Sequence, residues 1–412
     1  MIARLALFWT TFASLLWGQV DSRQEDVMRL AGIRRAIASH LENMPNYTCL
    51  QTVERYHLAL HAKKEELVDI LRLEVAYLAG REMYAWPGSS RFEDRELREI
   101  ISTGAFSTGG FVLHARAIFL GEEASFQYAG EETLDGKPTW RYDYEVPQRR
   151  SGYQIRNPVK SIMAAVGYHG SIWADRRTNA LVRISVLSRE IPEEIQIKSA
   201  ADQLDYQPVQ IGAVDALLPR QGVIKITDEK GDSSINRTRL SRCKQYSGES
   251  TISFEDIPDG NASVAKPQRL VELPPHLEIE LALDQELDHA NSAVGDSITA
   301  TLRNDLRVKK TLIAPKGSIA RGRIVRFEHS HDTFSTYQVA FSFEELAGVD
   351  WRAPLSLKFV RLAVPSLPPF DLSRRSNLNR MVALPRVTGN EFLVFSEKLR
   401  LPRGFVTIWQ TQ

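Results

Sequence analysis

Apolar residues recur along this chain at two periods, and the change from one to the other marks its first structural boundary. Val27, Leu30, Ile33, Ile37 and Leu41 are spaced three or four apart, which predicts an amphipathic helix over Asp26–Leu41, ended by Pro45. From Thr48 the period falls to two. Thr48–Leu60 and Ile70–Trp86 read as strands, the second folded back at Ala79-Gly80. A short helix is expected over Asp94–Ile101, then a loop carrying Gly104, Gly109 and Gly110. Phe111–Phe119 fits either helix or strand, and helix is favoured. Trp140, Tyr142, Tyr144 and Val146 alternate with Arg141, Asp143 and Glu145, the signature of a half-buried strand, and Asp135-Gly136 ahead of it predicts a tight hairpin. Ile172–Asp175 and Leu181–Leu187 flank a polar turn, as do Val223–Thr227 and Asn236–Tyr246 around Lys230-Gly231-Asp232. One helix followed by strand after strand predicts a meandering antiparallel sheet.

Asp256–Pro275 breaks this pattern with Pro258, Gly260, Pro267, Pro274 and Pro275, and reads as a linker. Beyond it Leu277, Ile279, Leu281 and Leu283 alternate with Glu278, Glu280, Ala282 and Asp284. Short strands follow at Ile298–Leu302, Thr311–Ile313, Ile319–Phe327, Gln338–Phe343, Leu355–Leu362, Glu391–Phe395 and Phe405–Trp409. That spacing predicts a small β-barrel or sandwich, with Pro365–Arg380 as a long loop.

The N-terminus changes the picture most. Arg4, an apolar run over Leu5–Trp17 and the small Gly18 form the basic, apolar and small order of a secretory signal peptide, with the mature chain expected near Gln19. The run is shorter than the ~20 residues of a membrane span. The expected organisation is therefore a signal over 1–18, a first domain over 22–254, a linker over 255–275 and a second domain over 276–412. Export makes Cys49 and Cys243 a disulfide candidate, bridging the first and last strands of the first domain. Lys plus Arg (52) against Asp plus Glu (51) leaves no electrostatic footprint for nucleic acid. Asn46, Asn236 and Asn261 begin short glycosylation patterns, which matter only in a secretory host.

An N-terminal amphipathic helix, the strand Trp140-Arg141-Tyr142-Asp143-Tyr144, and Gly170-Ser171-Ile172-Trp173-Ala174-Asp175 before Leu181-Val182-Arg183-Ile184 together resemble the lipoprotein carriers of bacterial envelopes (LolA/LolB-like). The resemblance spans roughly residues 22–254, is one of pattern, and implies an unclosed barrel whose inner face receives acyl chains or apolar peptide surface. The chain departs from that family in having no lipid-anchor cysteine after the apolar run and in carrying a second domain. Fainter still, Ala293-Val294-Gly295-Asp296, Ile313–Ser318 and Arg321-Gly322-Arg323 are similar to turns in the small β-barrels of secretion and conjugation channel proteins.

Common chemistries find little support. There is no Gly-x-Ser-x-Gly elbow, His-Glu-x-x-His motif or phosphate-cradling Gly-Lys-Ser/Thr. Glu131-Glu132, Glu193-Glu194 and Glu344-Glu345 are adjacent pairs, and neighbours on a strand face opposite sides, so a solvated role is expected. His329 and His331 share one strand face and could supply two metal ligands, but no third is visible, and no metal or cofactor is expected. The fold expected is mainly β with an N-terminal helix: an antiparallel half-barrel, then a small β domain. The expected role is non-enzymatic binding of a lipid-like or other apolar ligand by an exported, periplasmic or envelope-associated protein. Trp86, Phe126, Trp140, Tyr142, Tyr144 and Trp173 are the cavity candidates. The aromatic stripe would also serve as plain core against the helix. The alternative role is an adaptor that docks an envelope secretion or surface apparatus.

Overall fold

The larger sheet begins in its own middle and is completed from the far edge. The computed structural model describes residues 10–78, 80–89, 92, 106–107, 111–121, 123–157, 162–246, 269–330, 335–363, 382–385 and 390–412. Helix α1 (Thr10–Glu42) leads into β1 (Tyr47–Leu58), and the chain then steps outward through β2 (Glu66–Leu78) to the edge strand β3 (Arg81–Ala85). It crosses by way of α2 (Phe111–Phe119) to the opposite edge, β4 (Ser125–Leu134). From there it meanders back through β5 (Lys137–Val146), β6 (Gly167–Asp175), β7 (Leu181–Arg189), β8 (Ile197–Ile211), β9 (Val214–Asp228) and β10 (Ser233–Gln245). The order is β3-β2-β1-β10-β9-β8-β7-β6-β5-β4, antiparallel throughout.

Strands close in sequence pair at every junction of this sheet but one, β1 with β10. That junction carries the disulfide: Cys49 and Cys243 are bonded across it, 194 residues apart in sequence. The β4–β5 hairpin has the form its sequence predicts, with Asp135 and Gly136 both at positive φ. The second expected strand does fold back near Gly80, and Phe111–Phe119 is helical.

The sheet curls, and α1 and α2 cover part of its concave side. Leu30, Ile33, Ile37 and Leu41 of α1 and Ala115, Ile118 and Phe119 of α2 share one core with Tyr142, Ile172, Ile184, Leu204 and Leu218. Val27 leaves the expected stripe and is 67% exposed: it points away from the sheet, which α1 still meets at Asp26 through the Tyr142 hydroxyl. Residues 1–9, most of the expected signal's basic and apolar start, lie outside the described residues, as do Asp94–Ile101 and Pro365–Arg380.

The second sheet is built from β11 (Arg269–Leu270), β12 (Glu278–Leu283), β13 (Ser297–Leu302), β14 (Ile319–Ser330), β15 (Thr336–Ala347), β16 (Trp351–Pro354), β17 (Leu357–Leu362), β18 (Val382–Pro385), β19 (Glu391–Phe395) and β20 (Val406–Thr411). Its main path is β11-β16-β15-β14-β13-β12-β20-β17, with β19 pairing both β15 and β18. Asn390 draws the two ends together: its amide donates to the Leu357 carbonyl oxygen, and its side-chain oxygen accepts the Phe359 N–H. Phe327, Phe341, Phe392 and Trp409 fill the interior. Of the expected linker, residues 255–268 lie outside the described residues, while Arg269 and Leu270 pair, in parallel, with Trp351 and Arg352.

The two sheets meet along β2. Past the reach of β3, the free edge of β2 is occupied by Val294: its N–H donates to the Ile70 carbonyl oxygen, and the Arg72 N–H donates to Val294 oxygen, both at 2.8 Å. Val53, Leu71 and Leu73 of the first sheet are buried in the core of the second. Arg72 pairs with Asp296, and a His289 ring nitrogen lies 2.8 Å from the Val68 carbonyl oxygen. An exposed strand edge invites unwanted pairing, and here the second domain covers it.

Candidate functional site

Strand period decides which of the expected cavity residues face inward. On β5, Trp140, Tyr142, Tyr144 and Val146 point to the concave side, while Arg141 and Asp143 point out. Register carries that face across the sheet: Tyr142 sits opposite Ile172, which sits opposite Ile184 and then Leu204, and Tyr144 leads through Gly170 and Val186 to Asp202. Phe126 and Tyr128 of β4 extend the wall to the free edge, opposite Tyr144 and Tyr142.

Burial grades this wall. Tyr142 and Tyr144 are 2% and 3% exposed beneath the helices, whereas Phe126, Tyr128 and Trp140 are half-buried towards the edge. Phe126 stacks on Phe119 of α2 with ring centroids 6.0 Å apart, and Tyr128 lies 5.3 Å from Tyr142. The Tyr142 hydroxyl donates to the Asp26 carbonyl oxygen of α1, and that of Tyr144 donates to the Ser185 carbonyl oxygen at 2.8 Å. Gly170 permits the second bond: a Cβ there would overlap the Ser185 carbonyl and crowd the Tyr144 hydroxyl. Burial pushes the Tyr144 phenol well above its ordinary range and that of Tyr168 up to about 12, so both are neutral donors at physiological pH.

Two expected cavity residues are elsewhere. Trp173 is one residue out of phase with Ile172 and Ala174, and so lies on the convex side. Its indole N–H donates to Glu132, and the Arg141 guanidinium lies 5.6 Å from its ring. It belongs to a solvated ladder in which Arg141 also pairs with Asp143, and Asp143 accepts the Ser171 hydroxyl. Trp86 follows β3 and packs into the second domain's core, against Gly295. The four that remain, Phe126, Trp140, Tyr142 and Tyr144, form one continuous surface.

Some of the inner face was not singled out from sequence. Tyr128 follows Phe126 by two, the same period that marks Trp140–Tyr144, and was legible on that ground. His114 and Asp202 were not, since α2 and β8 meet only in the fold. Their side chains are buried with His114 Nε2 3.2 Å from Asp202 Oδ2, and Tyr153 and Tyr168 lie beside the imidazole.

The acidic pairs divide as strand period requires: Glu131 binds Arg176 and Glu132 binds Arg141, while Glu344 binds Arg323 and Glu345 binds Arg321. His329 stacks on Tyr337 at 4.2 Å, with its Nε2 2.8 Å from the Ser335 hydroxyl, while His331 and Asp332 lie outside the described residues. Among the described residues no group of three or more His, Cys, Asp or Glu side chains is placed to hold a metal, and no helix is long and apolar enough to cross a membrane. Asn236 is buried within β10, which removes it as a glycosylation acceptor in the folded chain.

No family model matches the chain, and none of the curated proteins matches it. Solved structures do. One is assigned as an outer membrane lipoprotein-sorting protein domain from Vibrio parahaemolyticus, with 10% identity over 52% of this chain and 92% of that one, at a TM-score of 0.29. Another is a DUF1329 family protein from Desulfovibrio piger, with 12% identity over 55% of this chain and 96% of that one, at a TM-score of 0.27.

Proposed function

We propose that this is an exported, envelope-associated binding protein whose half-barrel holds an apolar, acyl-chain-like molecule on its concave wall and does no chemistry on it. The observation that carries the reading is the grading of that wall. Tyr142 and Tyr144 are sealed under α1 and α2, yet the same surface continues outward as half-buried Phe126, Tyr128 and Trp140. A ligand tail laid on those rings would bury apolar area at roughly 25 cal/mol per Å², and aromatic faces suit that contact. The phenols of Tyr142 and Tyr144 already have carbonyl partners, so they add no unsatisfied polar group to the wall. The N-terminal signal pattern and the disulfide support an oxidising compartment outside the cytoplasm.

Titration of the purified chain with the neutral fluorophore N-phenyl-1-naphthylamine tests the site. Saturable binding is expected, weakened about tenfold in the Phe126→Ala/Trp140→Ala double variant, and the ligand should be recovered with its mass unchanged. Equal binding by that variant would remove the wall as the site, and a ligand altered in mass would remove the non-enzymatic reading. N-terminal sequencing of the exported protein should begin near Gln19, and a chain still starting at Met1 would argue against export through a cleaved signal.

A further inference from the structure

Three guanidinium groups lie on the half-buried end of the aromatic wall. The Arg29 guanidinium carbon is 4.7 Å from the Tyr128 ring centroid and 4.1 Å from that of Trp140. Arg176 lies 4.4 Å from the Trp140 centroid, and Arg34 lies 5.7 Å from that of Phe126. Guanidinium is weakly hydrated and is held by the negative face of a ring, so its charge rests at an apolar boundary without being carried off into water. Phe126 and Tyr128 are two apart on one strand, so their Cα atoms are about 6.5–7 Å apart, a span of the order of one lipid head group.

Among the described residues, the charges at this end do not cancel. Arg29 is paired with Asp26 at 2.7 Å and Arg176 with Glu131, whereas Arg34 donates to the Gly121 carbonyl oxygen at 3.4 Å, a neutral acceptor. The Asp26–Arg29 pair also shows that a carboxylate fits beside the Tyr128 and Trp140 rings. We infer that the ligand is an anionic amphiphile, its tail on the aromatic wall and its carboxylate or phosphate head between Arg29 and Arg34, taking the place of Asp26 on Arg29. This rests on the apolar-ligand reading above. Arg offers paired N–H donors that match both kinds of head, while a cationic head would be repelled.

The test compares C12 probes at monomeric concentrations on the full chain: dodecyl phosphate, dodecanoate, dodecanol and dodecyltrimethylammonium, with inorganic phosphate alone as the head without the tail. The two anionic probes are expected to bind at least about tenfold more tightly than dodecanol, with affinity falling as salt rises. The Arg29→Gln/Arg34→Gln variant, checked for an unchanged thermal melt, should lose that advantage and keep its dodecanol affinity. Should that variant fail to fold, Asp26→Asn decides: removing the competing carboxylate should tighten dodecyl phosphate several-fold and leave dodecanol unchanged. Equal binding of all four C12 probes would overturn the anionic head while leaving the apolar site standing. Binding of inorganic phosphate as tightly as dodecyl phosphate would also overturn it, because the tail would then contribute nothing. If no C12 probe binds, the apolar site itself fails and this inference fails with it.

Discussion

Single residues in this fold carry consequences out of proportion to their size. Gly170 lies where the Tyr144 ring crosses to reach Ser185, and a methyl group there meets main chain rather than a movable side chain. Gly170→Ala is expected to destabilise the chain by about 3 kcal/mol or more, read from the shift of its urea midpoint. Glu74, on β2, presents the opposite case. It is 2% exposed, and the Gly88 backbone N–H is the main-chain donor that faces its carboxylate. Burial raises its pKa to about 7, against the pull of Lys244 and of the Gly88 backbone N–H. Between the unfolded value near 4.5 and this folded value the native state holds the extra proton, so stability is greatest below pH 4.5 and falls as pH rises through 7. Glu74→Gln should therefore match the parent in acid and exceed it at pH 8 by on the order of 1–2 kcal/mol, after allowance for solvent screening. Chemical denaturation at pH 4.5 and pH 8 checks both ends, and an advantage of equal size at the two would contradict the account. Neither Gly170 nor Glu74 was legible as special in the sequence, since each acquires its role from a neighbouring strand.

At the scale of elements the sequence was read well wherever period and burial coincide, and poorly where they part. The alternation of Trp140, Tyr142 and Tyr144 located β5 and its inner face together. The same rule, applied to Trp173 against Ile172 and Ala174, would have placed that indole outside. Trp86 could not be placed by period, because its surroundings come from a domain two hundred residues further along. On α1 the 3.6-residue stripe is correct from Leu30 to Leu41, but one turn earlier the helix turns Val27 to solvent while Asp26 meets Tyr142. Ile33→Ala is accordingly expected to cost about 2–5 kcal/mol, and Val27→Ala less than about 0.5 kcal/mol, by the same denaturation measurement. Equal losses would mean that α1 lies differently on the sheet.

The whole molecule is two curled sheets joined at one edge, with the disulfide at the junction of β1 and β10 and the second domain docked through Val294 on β2. The two sheets lie on either side of the proline-rich break, but their contact was not legible: Val53, Leu71 and Leu73 sit on strands of the first sheet and are buried in the core of the second. Gly295 holds that contact open, at positive φ and against the Arg72 carbonyl and Trp86. Gly295→Val should split one calorimetric transition into two, and a single transition at the parent's temperature would show the edge contact to be incidental. Tyr142 and Tyr144 are sealed beneath the helices, so the half-buried rings Phe126, Tyr128 and Trp140 are the part of the wall left for a ligand. Native mass spectrometry of the chain purified from its exporting host without detergent tests that claim most directly. A bound amphiphile is expected on the parent protein and lost from the Phe126→Ala/Trp140→Ala variant. An adduct retained in full by that variant, or a parent chain that carries none and takes up no C12 probe when it is added, would contradict it.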